Sequence, residues 1–230
     1  MRVLISGTGR GGTNLLTELS RKITTISFTN EVEDRNLFLH ANLPADYGTK
    51  LTMDHPTFTL EAAAAYLEKY EDLYILFAVR HPIDNCLSKI LRGRPASQGG
   101  DKVTENISAD ATLPASIQAI RDLYEYIEAL QTEYPQRVCV VRMEDIIQET
   151  QKIVDELGEF LNIEPLPFEG FQSTNRNQYQ KSRYGDALAP QTSLYKDLKN
   201  NFGGFYHDVP HVVPILESEL VEEIKVYYGN

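Results

Sequence analysis

Positive charge is scarce in this chain. Against 33 Asp and Glu stand 22 Lys and Arg, a formal net charge of −11 over 230 residues. A surface of that sign repels polyphosphates and argues against DNA or RNA as a general partner. It does not bar an anionic small molecule, because local fields in a cleft can oppose the global charge. Long apolar runs are missing as well. No stretch approaches the ~18 consecutive apolar residues that would suggest a membrane-spanning helix, so no membrane partner is expected. At the N-terminus Val3 to Ile5 gives way at once to glycines, so no signal-peptide pattern is read there. Cysteine is reduced to Cys86 and Cys139. Neither C-x-x-C nor H-E-x-x-H occurs, so no metal site is read. Both thiols are expected reduced, and a cytoplasmic location with them. No internal repeat or low-complexity tract is evident.

What remains is an ordinary globular composition, 42% hydrophobic and 24% charged, in a length that suits one domain over residues 1–230. Its elements alternate. Met1–Ser6 reads as a strand and Leu15–Ile23, apolar at 15, 16, 19 and 23, as a helix. Thr24–Thr29 reads as a second strand, and polar, aromatic-bearing sequence follows to about Phe58. Leu60–Tyr70 is helical on propensity. Leu73–Val79 reads as a buried parallel strand, with a helix Pro82–Leu91 after it. Gly93–Thr112, rich in Gly, Ser, Asp and Asn, is expected to be a flexible loop, a lid over a second substrate. Then come a helix Leu113–Tyr134, a strand Arg137–Arg142 and a helix Ile146–Leu161, capped by Glu144 and Asp145. The region 162–213 is irregular, and a last helix spans about Pro214–Tyr228. Apolar strands bounded by helices predict a three-layer α/β/α fold with a central parallel sheet.

Two segments carry chemistry. The first is GTGRGGTN, Gly7 to Asn14, between a strand and a helix. Such a turn aims backbone N–H groups and a helix N-terminus at an anion, and glycine at four of the six positions 7–12 lets the backbone approach it closely. The loop begins like a Walker A sequence, but Thr13 stands where the lysine belongs, which weakens a nucleotide kinase-like reading. It also fits the dinucleotide fingerprint, with Glu31 lying 19 residues beyond Gly12, the pattern of an NAD-binding Rossmann oxidoreductase. The second segment is RHPIDNCLS, Arg80 to Ser88. A cation at the end of a parallel strand faces the crevice where α/β proteins bind ligands, and Arg with Ser is a grip for phosphate.

Together these segments resemble the PAPS-dependent sulfotransferases, which have a P-loop-like fold. That family follows its first strand with a basic residue, a small residue, Gly, a hydroxyl residue and then Thr, Ser or Asn. Here Arg10-Gly11-Gly12-Thr13-Asn14 fits. Its R-x-P-x-D-x-x-x-S pattern is met at Arg80, Pro82, Asp84 and Ser88. VVRMEDI, Val140 to Ile146, is similar to the family's later strand and acidic tail, and Lys181-Ser182-Arg183-Tyr184-Gly185 to its basic loop.

The resemblance implies that Gly9 to Asn14 (Gly9, Arg10, Gly11, Gly12, Thr13, Asn14) hold the 5′-phosphosulfate of PAPS. Arg80 and Ser88 would hold the 3′-phosphate of PAPS and of its product PAP, with Arg183 nearby. The activity implied is in-line transfer of a sulfuryl group to a hydroxyl or amine of a small-molecule or carbohydrate acceptor, with no metal required. Arg10 would be a charge clamp rather than an acid, since arginine does not readily give up a proton. An acceptor hydroxyl must lose a proton, and some relatives place a catalytic Glu where Glu31 falls. Glu33, His40, Asp54 and His55 are its rivals. Lys50 resembles a lysine that some members set near the acceptor. Membrane-anchored Golgi members are not matched, since no anchor is read here. A catalytically inactive member that binds nucleotide is the remaining alternative.

Overall fold

The computed structural model describes residues 1–9, 11–29, 42–52, 60–80, 85 and 113–171. By its internal contacts the chain divides into two compact units, Met1–Arg80 with Asp122–Phe171, and His81–Arg121 with Gln172–Asn230. Of the second unit, residues 85 and 113–121 are described.

The first unit is built on a five-stranded sheet in which every pairing is parallel. In chain order its elements are β1 (Arg2–Ser6), α1 (Thr13–Ile23), β2 (Ser27–Phe28), β3 (Tyr47–Lys50), α2 (Leu60–Lys69), β4 (Leu73–Val79), α3 (Leu113–Glu133, which enters this unit at Asp122), β5 (Val138–Arg142), α4 (Met143–Gln148) and α5 (Thr150–Leu161). The strand order is β2-β3-β1-β4-β5.

Alternation along the strands explains both faces. Val3 and Ile5 of β1 and Leu76 and Ala78 of β4 pack with Leu16, Leu19 and Ile23 of α1, Ile146 of α4 and Ile153 and Leu157 of α5. Leu4, Leu73, Ile75 and Phe77 point the other way, onto Tyr66 and Leu67 of α2 and Leu123, Ile127 and Leu130 of α3. A strand buried on both sides has no polar face, which is why Leu73–Val79 reads as an unbroken apolar run. The three-layer α/β/α arrangement with a parallel sheet is therefore as expected. Among the described residues no helix is long and apolar enough to cross a membrane.

Local chemistry sets the ends. α1 closes with Arg21 and Lys22 in its last turn, favourable for the helix dipole. Thr24 ends it: its N–H and its hydroxyl both donate to the Ser20 carbonyl, at 3.1 and 2.9 Å. Beyond α2, Arg137 donates to the carbonyls of Leu67 (2.8 Å) and Tyr70 (3.1 Å), the latter also accepting from the Leu73 N–H at 3.2 Å.

Four details differ from the sequence reading. The strand expected over Thr24–Thr29 shrinks to Ser27–Phe28, because Thr24 is taken up in ending α1. β3 was not anticipated. The helix expected over Ile146–Leu161 is two helices, broken at Glu149, whose backbone leaves the helical region at φ −131°, ψ 40°. Glu144 and Asp145 do not cap it. The cap position is Arg142, without a side-chain capping bond, and both acids lie in the first turn of α4. There they still suit the positive end of the helix dipole. Residues 162–171 hold no helix or strand, and the rest of the region expected to be irregular, 172–213, lies outside the described residues. The helix over 82–91 (residue 85, helical, apart), the loop over 93–112 and the helix over 214–228 lie outside the described residues.

Candidate functional site

In a parallel sheet all strands finish at one edge. Here β1 and β4 are neighbours, in register from Arg2↔Leu73 to Ser6↔Phe77. The glycine-rich segment therefore leaves β1 beside the stretch of β4 that leads to Arg80. β1 is also where the strand order turns, since β3 flanks it on one side and β4 on the other. The crevice at such a point, outside the carboxyl ends of the strands, is where open α/β sheets take ligands.

Two glycines make the turn. Gly7 has φ +137°, and a Cβ on it would lie 2.3 Å from the Ala78 carbonyl oxygen of β4. Only glycine lets the chain bend away so close to the neighbouring strand. The Gly11 N–H donates to the Thr8 carbonyl at 3.0 Å, closing a tight turn. Gly12, at φ +97°, is the cap residue of α1, and its carbonyl accepts from Leu16 N–H at 3.0 Å. A Cβ there would meet the Met143 side chain at 2.9 Å, so the start of α4 packs directly against the turn. No side chain caps α1 and no acid stands in its first turn. A helix start of this kind favours a nearby anion.

Cationic side chains stand on the strands at this edge. Lys50 is the last residue of β3, paired with Ile5, and its Nζ donates to Asn14 Oδ1 at 2.8 Å. Asn14 lies in the first turn of α1. The neighbouring Leu51 is tied to β1 twice, by its N–H to the Ile5 carbonyl (2.9 Å) and by its carbonyl to the Ser6 hydroxyl (2.8 Å). Arg80 follows β4 and is 5% exposed. Its N–H donates to the Tyr124 hydroxyl at 3.2 Å, and the same hydroxyl donates to the Arg80 carbonyl. Arg142 ends β5, opposite Val79, and is exposed. Lys50, Arg80 and Arg142 thus bring positive charge to this edge, beside Glu144 and Asp145 in the first turn of α4. The other edge of the sheet is different: there Arg2 is held by Asp72, by the Leu43 carbonyl at 2.7 Å and by the Tyr70 ring at 4.7 Å.

Of the residues singled out in the sequence, Gly9, Gly11, Gly12, Thr13, Asn14 and Arg80 belong to this edge. Arg10, Glu31, Ser88 and Arg183 lie outside the described residues, as do Glu33, His40, Asp54 and His55. Lys50 is brought to the loop by β3. Tyr124 and Arg142 were missed. Arg142 carries the same signal as Arg80, a cation at the end of an apolar strand. Tyr124 has no such signal, being one aromatic on a long amphipathic helix.

The residues present suit an anionic nucleotide such as PAPS. They offer a close-approach glycine turn, an uncapped helix start and a buried arginine at one edge. They do not suit the Rossmann alternative, in which the second strand lies beside the first. Here β3 takes that place.

Residues 33–167 match the model of the sulfotransferase family. No curated protein matches the chain in sequence. Among solved structures the fold is similar to mouse sulfotransferase SULT7A1 complexed with PAP, with a TM-score of 0.50 and 15% identity over 81% of this chain. The match covers 65% of that protein's chain.

Proposed function

Because the chain belongs to the sulfotransferase family, we propose that it transfers a sulfuryl group from PAPS to a hydroxyl or amine of a small-molecule or carbohydrate acceptor. The observation that carries this reading is the meeting, on adjacent strands, of the turn Gly7–Gly12 with Arg80 at the switch point of the sheet. A glycine turn alone fits many nucleotides. A buried arginine on the next strand adds a second anion grip, which PAPS needs and NAD does not.

In this reading Gly9 to Asn14 hold the 5′ side and Arg80, with Ser88 and Arg183, the 3′-phosphate. When bound, PAPS supplies an activated sulfuryl group whose leaving group is a phosphate. Arg10 stays protonated throughout and stabilises the negative charge that grows as the bond to sulfur breaks. No proton is required on that side. Glu31 removes the acceptor's proton on the other. Lys50, held by Asn14 at the start of α1, adds positive charge on the 5′ side. Positioning and electrostatics do the catalytic work, as in phosphoryl transfer.

Calorimetric titration with PAP, AMP, ATP and NAD tests the proposal. Micromolar binding of PAP with AMP much weaker is the expected result. It would be followed by sulfuryl transfer from PAPS across a panel of phenols, alcohols, sugars and amines. Binding of NAD or ATP in place of PAP would overturn the reading. PAP binding without transfer to any acceptor would leave an inactive nucleotide-binding member of the family.

A further inference from the structure

The Tyr124 hydroxyl does something unusual for a helix aromatic: it holds both backbone groups of one residue on another element. The Arg80 N–H donates to it at 3.2 Å, and it donates to the Arg80 carbonyl. Arg80 is the first residue after β4, so its N–H and C=O have left the ladder. Backbone groups in that position need partners, and a fixed hydroxyl supplies both at once. Tyr124 is itself set by its surroundings. The flanking Leu123 and Tyr126, with Ile127 and Leu130, fill the core against β4, and Tyr124 packs partly buried beside them. The hydroxyl is thus a stop fixed to the core, not a loose surface group.

The consequence concerns the arginine's aim. Arg80 is 5% exposed, and the direction of its side chain depends on φ and ψ at a residue beyond the last paired position of β4. Resting on the functional reading above, we propose that Tyr124 is a positioning residue. By clamping the Arg80 backbone it aims the guanidinium at the 3′-phosphate, and so sets the preference for a 3′-phosphorylated nucleotide over its unphosphorylated counterpart. Tyr124 touches neither nucleotide nor acceptor in this role. It acts through Arg80 alone.

The test is Tyr124→Phe, which removes the hydroxyl and leaves the ring in the core. PAP affinity should fall by about fivefold to tenfold, the range expected for losing two modest hydrogen bonds, with AMP affinity unchanged. A purely structural role would weaken PAP and AMP alike, or lower the Tm without moving their ratio. Either result overturns the proposal. In an Arg80→Ala background the same substitution should leave PAP affinity where Arg80→Ala alone puts it, and a further additive loss would also overturn it. A measurement without substitution guards against a variant that folds poorly. In the wild-type protein the Arg80 amide should exchange slowly with deuterium, and more slowly still with PAP bound than with AMP. Rapid exchange would show that the hydroxyl does not hold it. If wild-type protein binds no PAP at all, the functional reading fails first. If it binds PAP and Tyr124→Phe keeps the full preference over AMP, only the present inference fails.

Discussion

At the scale of single residues, Gly7 is the most constrained position at the site. Alanine there would need both a disfavoured φ of +137° and a Cβ 2.3 Å from a backbone carbonyl of β4, which cannot move without breaking the sheet. Gly7→Ala should cost about 3 kcal/mol or more, read as a fall in Tm with loss of PAP binding. Lys50 poses a different question, because its bond to Asn14 could serve the fold or the chemistry. Lys50→Ala should cut kcat/KM for PAPS by about tenfold or more, with Lys50→Arg retaining most of it. A drop in Tm with kcat/KM unchanged would reduce the lysine to a tether. Cys139 is a residue of stability, not of the site. Burial, reinforced by Glu156, pushes its thiol up from an ordinary 9.0 to about 11. Its folded value lies above its unfolded one, so the neutral half-buried thiol contributes stability that is intact below pH about 9 and lost as pH rises through about 11. The same shift makes it unreactive. In a Cys86→Ser variant, alkylation at pH 8 should run about a hundredfold slower folded than in urea, and equal rates would contradict the upward shift of the thiol.

At the scale of elements, packing decides where propensity does not. Gly158 sits inside α5, where glycine lowers helix stability by about 1 kcal/mol relative to alanine. Its place is explained by Pro165, whose ring a Cβ would meet at 2.4 Å as the chain folds back after Asn162. A proline ring cannot swing aside, so Gly158→Ala should lower stability by about 1–2 kcal/mol despite the better propensity. A rise in Tm would mean the turn after α5 yields easily. The same contest shows which elements were legible in the sequence. β1, α2, β4, α3 and β5 announce themselves, because each buries a continuous run or a regular stripe. β3 does not: YGTK is four residues long with a glycine inside it. Gly48 is there because the Phe28 ring occupies the space a Cβ would take, at 2.5 Å, and no local pattern encodes that long-range fit. The glycine turn and Arg80 were legible because their chemistry is local to each motif, and only the pairing of β1 with β4 shows that they share an edge. Tyr124 was illegible because its role depends on α3 meeting the end of β4.

At the scale of the whole molecule, the question is whether the two compact units act as one domain. The first holds the sheet, both core layers, the glycine turn and Arg80, whereas Ser88 and Arg183 belong by sequence to the second. PAP that binds only the folded chain adds its binding free energy to the stability of the fold. Ligand at a hundred times its Kd should then stabilise the chain by about 2.7 kcal/mol, and one cooperative transition should carry the whole gain. We expect thermal unfolding to show a single transition by near- and far-ultraviolet circular dichroism, moved upward by PAP and much less by AMP at equal concentration. Two transitions, with PAP raising only one, would mean that one unit binds the nucleotide alone. In that case Arg80→Ala should abolish the shift while Arg183→Ala leaves it intact, and the assignment of Arg183 would fall with the single-domain view. The charge of the chain sharpens the comparison. At −11 the chain as a whole repels an anionic nucleotide at long range, and in the proposed reading Lys50 and Arg80 at the carboxyl edge of the sheet supply the attraction. Added salt screens the long-range repulsion and the short-range attraction together, but it screens buried Arg80 least. The preference for PAP over AMP should therefore persist at high ionic strength even as both affinities change, and its disappearance would place the 3′-phosphate on exposed cations instead.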